Sequence, residues 1–232
     1  VDSRNHRIQR FDAGGEFLGQ IAAYGTGPGE VVGPTGIAVD SAGRVVVADT
    51  FNHRLQRFLP SGEPVDGWGG PGAGVGQLSN PADVAVGPDG SVYVTDSANN
   101  RVQRFAPDGT VRGAWGTPDG DDGRFADPAA VTVSADGTLL VADRVRDRIQ
   151  RLGPDGVFQA GWGSSGTGFG QLLAPQGIAT FPDGSVAVSD AGNHRVQVFD
   201  AQGAAIRSWG GGGAGPGQFA YPAGLATGPD QT

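Results

Sequence analysis

The chain has 232 residues, a formal charge of −8, and neither cysteine nor methionine. Without cysteine there is no disulfide, thiolate metal site or thiol nucleophile, and the acidic balance argues against a general nucleic-acid binder, which needs a basic face to neutralise phosphates. Glycine accounts for 43 residues without a three-residue period, which suits many tight turns and excludes collagen, and no apolar run is long enough to span a membrane as a helix.

The chain opens on VDSRNHRIQRF, residues 1–11, and this segment returns as ADTFNHRLQRF, TDSANNRVQRF, ADRVRDRIQRL and SDAGNHRVQVF, ending at Phe58, Phe105, Leu152 and Phe199, with a step of 47 residues each time. A proline keeps the same step at Pro34, Pro81, Pro128, Pro175 and Pro222, and a Trp-Gly pair recurs at Trp68, Trp115, Trp162 and Trp209, where the first copy has Ile21-Ala22. Each step is read as four strands. In the first full copy a short strand is predicted at 36–39, then a turn at 40–43 whose counterparts are Pro-Asp-Gly sequences. Proline presets φ and glycine accepts positive φ in such turns. The second strand is predicted at 45–49 and the third at 54–59, alternating with Leu55 inward, Gln56 outward, Arg57 inward or at the edge, and Phe58 against a neighbour. A second turn at 60–63 leads to a fourth strand at 65–68, and a Gly-rich loop closes the step at 72–81. A four-strand unit at a fixed period selects an all-β propeller, whose blades cannot bury both faces alone and stack through residues such as Ile37, Val45, Val47, Leu55 and Phe58.

The segments PTGIAV (34–39), ADTFNHRLQRF (48–58) and WGGPGAGVGQ (68–77) together resemble the NHL-repeat family of β-propellers, and the resemblance covers the whole chain. The copy at 143–152 departs most, with Arg146 and Asp147 in place of Asn-His, and the copy at 99–101 carries Asn99-Asn100. The expectation is one domain over 1–232. Five steps nearly fill the chain, which favours five four-stranded blades, the last closed by N- and C-terminal strands with 224–226 as its first strand. The resemblance implies six as the alternative.

The pairs Asp2/Arg7, Asp49/Arg54, Asp96/Arg101, Asp143/Arg148 and Asp190/Arg195 recur in every copy, so they are read as structural ties between second and third strands rather than as a ligand ring. His6, His53 and His194 share one position a blade apart and would not converge on a metal; they are read as turn caps, and no metal or cofactor is assigned. The tryptophans are read as packing between blades. What breaks the period points to binding: Phe51, Asn100, Asp119, Asp121, Arg144 and Arg146 on one face, with Asp83 at the channel mouth. The Asp119, Asp121 and Asp122 run is a weak oxygen-ligand pattern, more simply a solvated loop. No Ser/His/Asp set and no phosphate loop is present. The function expected is a non-catalytic module binding a protein, peptide or glycan. The alternatives are a propeller hydrolase or lyase with an axial metal on Asp83 and Asp40, and RNA binding. The compartment is left open, with an extracytoplasmic or secreted setting as the expectation.

Overall fold

A computed structural model describes residues 1–116 and 122–228, which form strands, four short 3-10 turns and connecting loops. The chain divides into two compact units, Val1–Ala114 and Trp115–Thr232. In the first, β1 (Ile8–Phe11), β2 (Phe17–Tyr24) and the two-residue β3 (Glu30–Val31) make a three-stranded sheet. Two four-stranded antiparallel meanders follow: β4 (Ile37–Val39), β5 (Val45–Asp49), β6 (Arg54–Phe58) and β7 (Pro64–Gly69), then β8 (Pro81–Val86), β9 (Val92–Asp96), β10 (Arg101–Phe105) and β11 (Val111–Trp115). The second unit holds β12 (Pro128–Val133), β13 (Leu139–Asp143), β14 (Arg148–Leu152) and β15 (Phe158–Trp162), then β16 (Pro175–Thr180), β17 (Val186–Asp190), β18 (Arg195–Phe199) and β19 (Ala205–Gly210). Four complete blades and one of three strands are therefore seen where five of four strands were expected. No strand forms at 224–226; Leu225 instead packs against the cluster of Ala187, Val196 and Val198.

Sheets within each unit stack face to face. Val46, Leu55 and half-buried Trp68 meet Val84, Val94 and Phe105 in the first unit, and Leu140, Ile149 and Trp162 meet Ile178, Val188 and Phe199 in the second. Cover on both faces of the β4–β7 sheet, by Ile8, Ile21 and Val31 on one side and by Val84, Val94 and Phe105 on the other, leaves all five residues of β5 buried; those of β9, β13 and β17 are buried too. It also corrects the alternation expected for the third strand. Gln56 is buried with Leu55, Arg57 and Phe58, because a strand covered on both sides has no outward face. Ile37 departs the other way and stays 39% exposed, while its equivalents Val84, Val131 and Ile178 are buried.

The Asp-Gly turns are built from side chain and backbone together. In 87–91 the Asp89 carboxylate accepts the Ser91 N–H at 2.9 Å, and Gly90 takes φ 77°. In the turns between third and fourth strands the glycine has a second constraint, a tryptophan: a Cβ at Gly156 would clash with the Trp115 indole, and one at Gly203 would stand 2.8 Å from the Trp162 ring. Gly15 has a similar φ of 87° with nothing within 4 Å of its Cβ position, so it isolates the backbone cost. Gly15→Ala is expected to cost about 1 kcal/mol, the left-handed penalty alone. Gly156→Ala adds a clash and is expected to cost at least about twice that in urea unfolding; equal losses would show that the tryptophan does not constrain the turn.

Candidate functional site

The end of each sheet that carries the second-to-third-strand turn also carries the loop joining it to its neighbour. A buried aspartate organises this end. Asp49 accepts the Val32 N–H at 2.8 Å, the Asn52 amide at 2.9–3.0 Å, Arg54 Nε at 2.8 Å and the Gln56 amide at 3.1 Å. Arg54 and Gln56 also donate to the Glu30 carbonyl, and Gln56 accepts the Gly29 N–H. The set repeats around Asp96 with Asn99, Arg101 and Gln103, and around Asp190 with Asn193, Arg195 and Gln197. The Asp–Arg pair is thus one part of a cluster that grips the incoming loop. The glutamine was misread from sequence, although its recurrence at Gln9, Gln56, Gln103, Gln150 and Gln197 was visible.

The loop is held from the preceding sheet as well. His6, His53 and His194 occupy the left-handed region at φ 52–56°, as do Asn100 and Asp147. Histidine, asparagine and aspartate tolerate this conformation better than most residues. His6 Nδ1 accepts the Gly33 N–H, His53 Nδ1 that of Asn80 and His194 Nδ1 that of Tyr221, at 2.9–3.2 Å, and Asp147 does the same for Ala174 at 2.7 Å. A neutral imidazole accepting at Nδ1 carries its proton on Nε2, so the shared position is a loop cap. Among the described residues no group of three or more His, Cys, Asp or Glu side chains could hold a metal ion. The Gly-rich loops do not offer their amides to a phosphate: the Gly74, Gly168 and Gly215 N–H groups donate to Gln77, Gln171 and Gln218 of the same loop. Two tryptophans are likewise engaged, with Arg57 5.2 Å above Trp68 and Arg151 5.3 Å above Trp162.

Against this uniform frame the variable residues stand out. Phe51 is exposed at the tip of its turn, with its ring against Gly33. Asn100 sits on the equivalent turn, and Asp83 lies in β8, which starts opposite Asp96 at the same end; the Asp83 N–H donates to Thr95 Oγ1. Asp40 is at the far end of β4. It is ion-paired with Arg44 at 2.7 Å and is four residues beyond Gly36, whose Cβ position abuts Asp83. Four extended residues span about 13 Å, so Asp40 and Asp83 do not share a site. In the second unit Arg144 is paired with Asp127, Nε to Oδ2 at 2.7 Å. Asp119 and Asp121 lie outside the described residues.

Arg146 replaces the asparagine of the aspartate cluster, and the cluster is looser there. Arg146 and Arg148 stand 3.6 and 3.5 Å from Asp143 Oδ2, whereas the matching Arg–Asp distances elsewhere are 2.6–2.8 Å. Burial pushes the Asp143 carboxyl above its usual value, and the Ala126 N–H and the two guanidiniums do not offset it. Asp2, by contrast, is held below the usual range by hydrogen bonds from Arg7 and then Asn5.

Two stability outcomes follow from these contacts. Arg101 binds Asp96 and the carbonyls of Ala73, Gly74 and Gln77, whereas Arg112 is exposed. Arg101→Ala is expected to cost about 3 kcal/mol and Arg112→Ala about 0.5 kcal/mol or less; equal midpoints in denaturant would dismiss the cluster as a source of stability. Arg146→Asn is expected to stabilise by about 1 kcal/mol at neutral pH, the scale of one net hydrogen bond. A raised Asp143 pKa means that its stabilising share is present below 3.8 and is lost as pH rises through the raised value. The gain from Arg146→Asn should therefore appear across that window and vanish in acid. An Asp143 carboxyl titration unchanged by the substitution would count against it.

The NHL repeat family model matches residues 32–58, 78–105 and 172–199. No curated protein matches the chain. Among solved structures, a streptogramin B lyase superposes with a TM-score of 0.72 at 17% identity, covering 98% of this chain and 68% of that one. Virginiamycin B lyase from Staphylococcus aureus gives 0.70 at 16% identity, covering 98% and 70%. A chain of a nidogen/laminin complex gives 0.72 at 20% identity, covering 97% and 80%. At these identities the likeness is one of fold, that of β-propeller proteins.

Proposed function

Because the chain belongs to the NHL-repeat family of β-propellers, we propose that it is a non-catalytic binding module whose turns and loops at one end of the blades engage a protein, peptide or glycan. The observation that carries this reading is the contrast between frame and tips. The recurring Asp, Asn, Arg, Gln and His side chains are engaged in holding backbone, while Phe51 and Arg144 vary from copy to copy and reach solvent. Individual loops on a rigid scaffold are a common way to build recognition. The likeness to a chain of a nidogen/laminin complex supports a protein partner.

The likeness to the lyases supports a second reading, a hydrolase or lyase with a carboxylate-held axial metal, in which Asp83 is the residue to lose. It ranks second because Asp40, the other carboxylate considered, is turned into its own loop by Arg44 and the Ala42 and Arg44 amides. Elemental analysis finding one equivalent of a divalent metal that Asp83→Asn removes would reverse the ranking. RNA ranks third on the charge of −8.

Glycan arrays and a peptide library provide the test. Ligands found for the wild type are expected to bind at least about tenfold more weakly to Phe51→Ala or Arg144→Ala, the loss of about 1.4 kcal/mol. Ser61→Arg and Ala135→Arg, exposed on the opposite turns, should leave binding unchanged. Ligands sensitive only to the second pair would mean that the other end of the blades binds.

A further inference from the structure

Two outer strands carry a glycine opposite the third-strand glutamine: Gly67 of β7 faces Gln56, and Gly161 of β15 faces Gln150. In β15 the side chain three residues earlier, Phe158, lays its ring on that glycine. Its Cε2 and Cζ stand 3.6 Å from where a Gly161 Cβ would be. In β7 the residue three earlier is Pro64, whose ring lies against Gly29 instead. The atoms nearest the Gly67 Cβ position belong to Leu55 and Gln56 of the neighbouring strand. The other copies have Phe17 with Gln20, Val111 with Ala114 and Ala205 with Ser208, none with the glycine. The seat that a ring fills in one sheet is therefore open in another, as a groove of about 570 Å³ over Gly67, walled by Pro28, Pro64, Trp68 and Pro71.

The polar side chains of the groove are already engaged. Asn52 binds Asp49 and the Gly25 carbonyl, and Arg54 binds Asp49 and the carbonyls of Gly27 and Glu30. Gln56 binds Asp49 and Glu30, and Asp66 is ion-paired with Arg57. What is left for a ligand is three prolines, a glycine peptide and Trp68, an uncharged surface that suits the face of a ring. We propose that this groove is a docking site for an aromatic side chain of a partner protein, whose ring lies on Gly67 as the Phe158 ring lies on Gly161. β7 is the edge strand of its sheet, so an extended segment carrying the ring can lie alongside it. Neither Phe51 nor Arg144 lines the groove, which stands apart from the turn tips.

The probe is N-acetyl-L-phenylalanine amide, titrated into the isotope-labelled 232-residue protein and followed by backbone amide chemical shifts. Saturable shifts are expected at Gly67, Trp68 and Gly69, with a millimolar Kd, the range open to so small a ligand. N-acetyl-L-alanine amide should bind at least about tenfold more weakly, since it lacks the ring. Pro64→Phe, which copies the filled sheet, should abolish the shifts without lowering the melting temperature. Phe158→Ala, a residue that Ala205 already supplies at this position, should open a second seat and add saturable shifts at Gly161. Unchanged binding to Pro64→Phe, equal binding of the alanine amide, no saturation, or no second seat in Phe158→Ala overturns the proposal. So does self-association of the wild type in sedimentation that Pro64→Phe removes, since the ring then comes from a second copy.

Discussion

One buried carboxylate in each of four repeats, Asp49, Asp96, Asp143 and Asp190, sets the terms for the rest. Asp49 has no exposure to water and accepts from a backbone amide, an asparagine, an arginine and a glutamine. An isolated charge in such a place would be costly, and its donors must all be present for it to stabilise. This explains why the four residue types travel together through the sequence. It also explains what happens around Asp143, where an arginine replaces the asparagine: the ion-pair distances lengthen and the carboxyl moves towards its neutral form.

The same cluster separates architecture from recognition. Arg54 and Gln56 bind the carbonyl of Glu30, and Gln56 binds the amide of Gly29, and the equivalent glutamines grip the matching described residues of the other loops whatever the exposed residues are. Side chains at the tips can then change without disturbing the frame. Phe51 illustrates this freedom, since its counterparts are Ala98, Val145 and Gly192 on turns of the same length. Trp68 and Trp162 belong to the frame, lying beneath arginines and against Gly109 and Gly203 of the neighbouring turns, whereas Trp209 is 42% exposed.

Most of the fold was legible because the period repeats without a gap, so each strand is indicated several times. The strand at Val45–Asp49 has the bounds read from sequence, and the third strand, Arg54–Phe58, ends one residue early. Gln56 was misplaced because alternation assumes one wet face, which stacked sheets lack. Ile37 was misplaced because a repeat describes a residue with neighbours on both sides, and among the described residues no second strand pairs with β1 in the sheet before it. The candidate site was less legible. Variation among copies marks where a turn is free to differ, but a freely drifting loop and a recognition loop carry the same pattern. Asp83 and Asp40 were paired although the strand predicted at 36–39 and the turn at 40–43 already put Asp40 at the other end of its strand from the Asp83 position.

The reach of these contacts bears on how the chain folds. The bonds that grip each loop span 17 to 27 residues, and the loop-capping histidines also reach 27 residues ahead. Loop closure over such distances costs little entropy, and no such bond awaits a distant part of the chain. During synthesis, however, a loop emerges before the aspartate, arginine and glutamine that will hold it. Each connection is therefore secured about half a repeat late, and the growing protein always carries one unsecured loop at its leading edge. Assembly proceeds blade by blade, with each new blade locking the junction behind it.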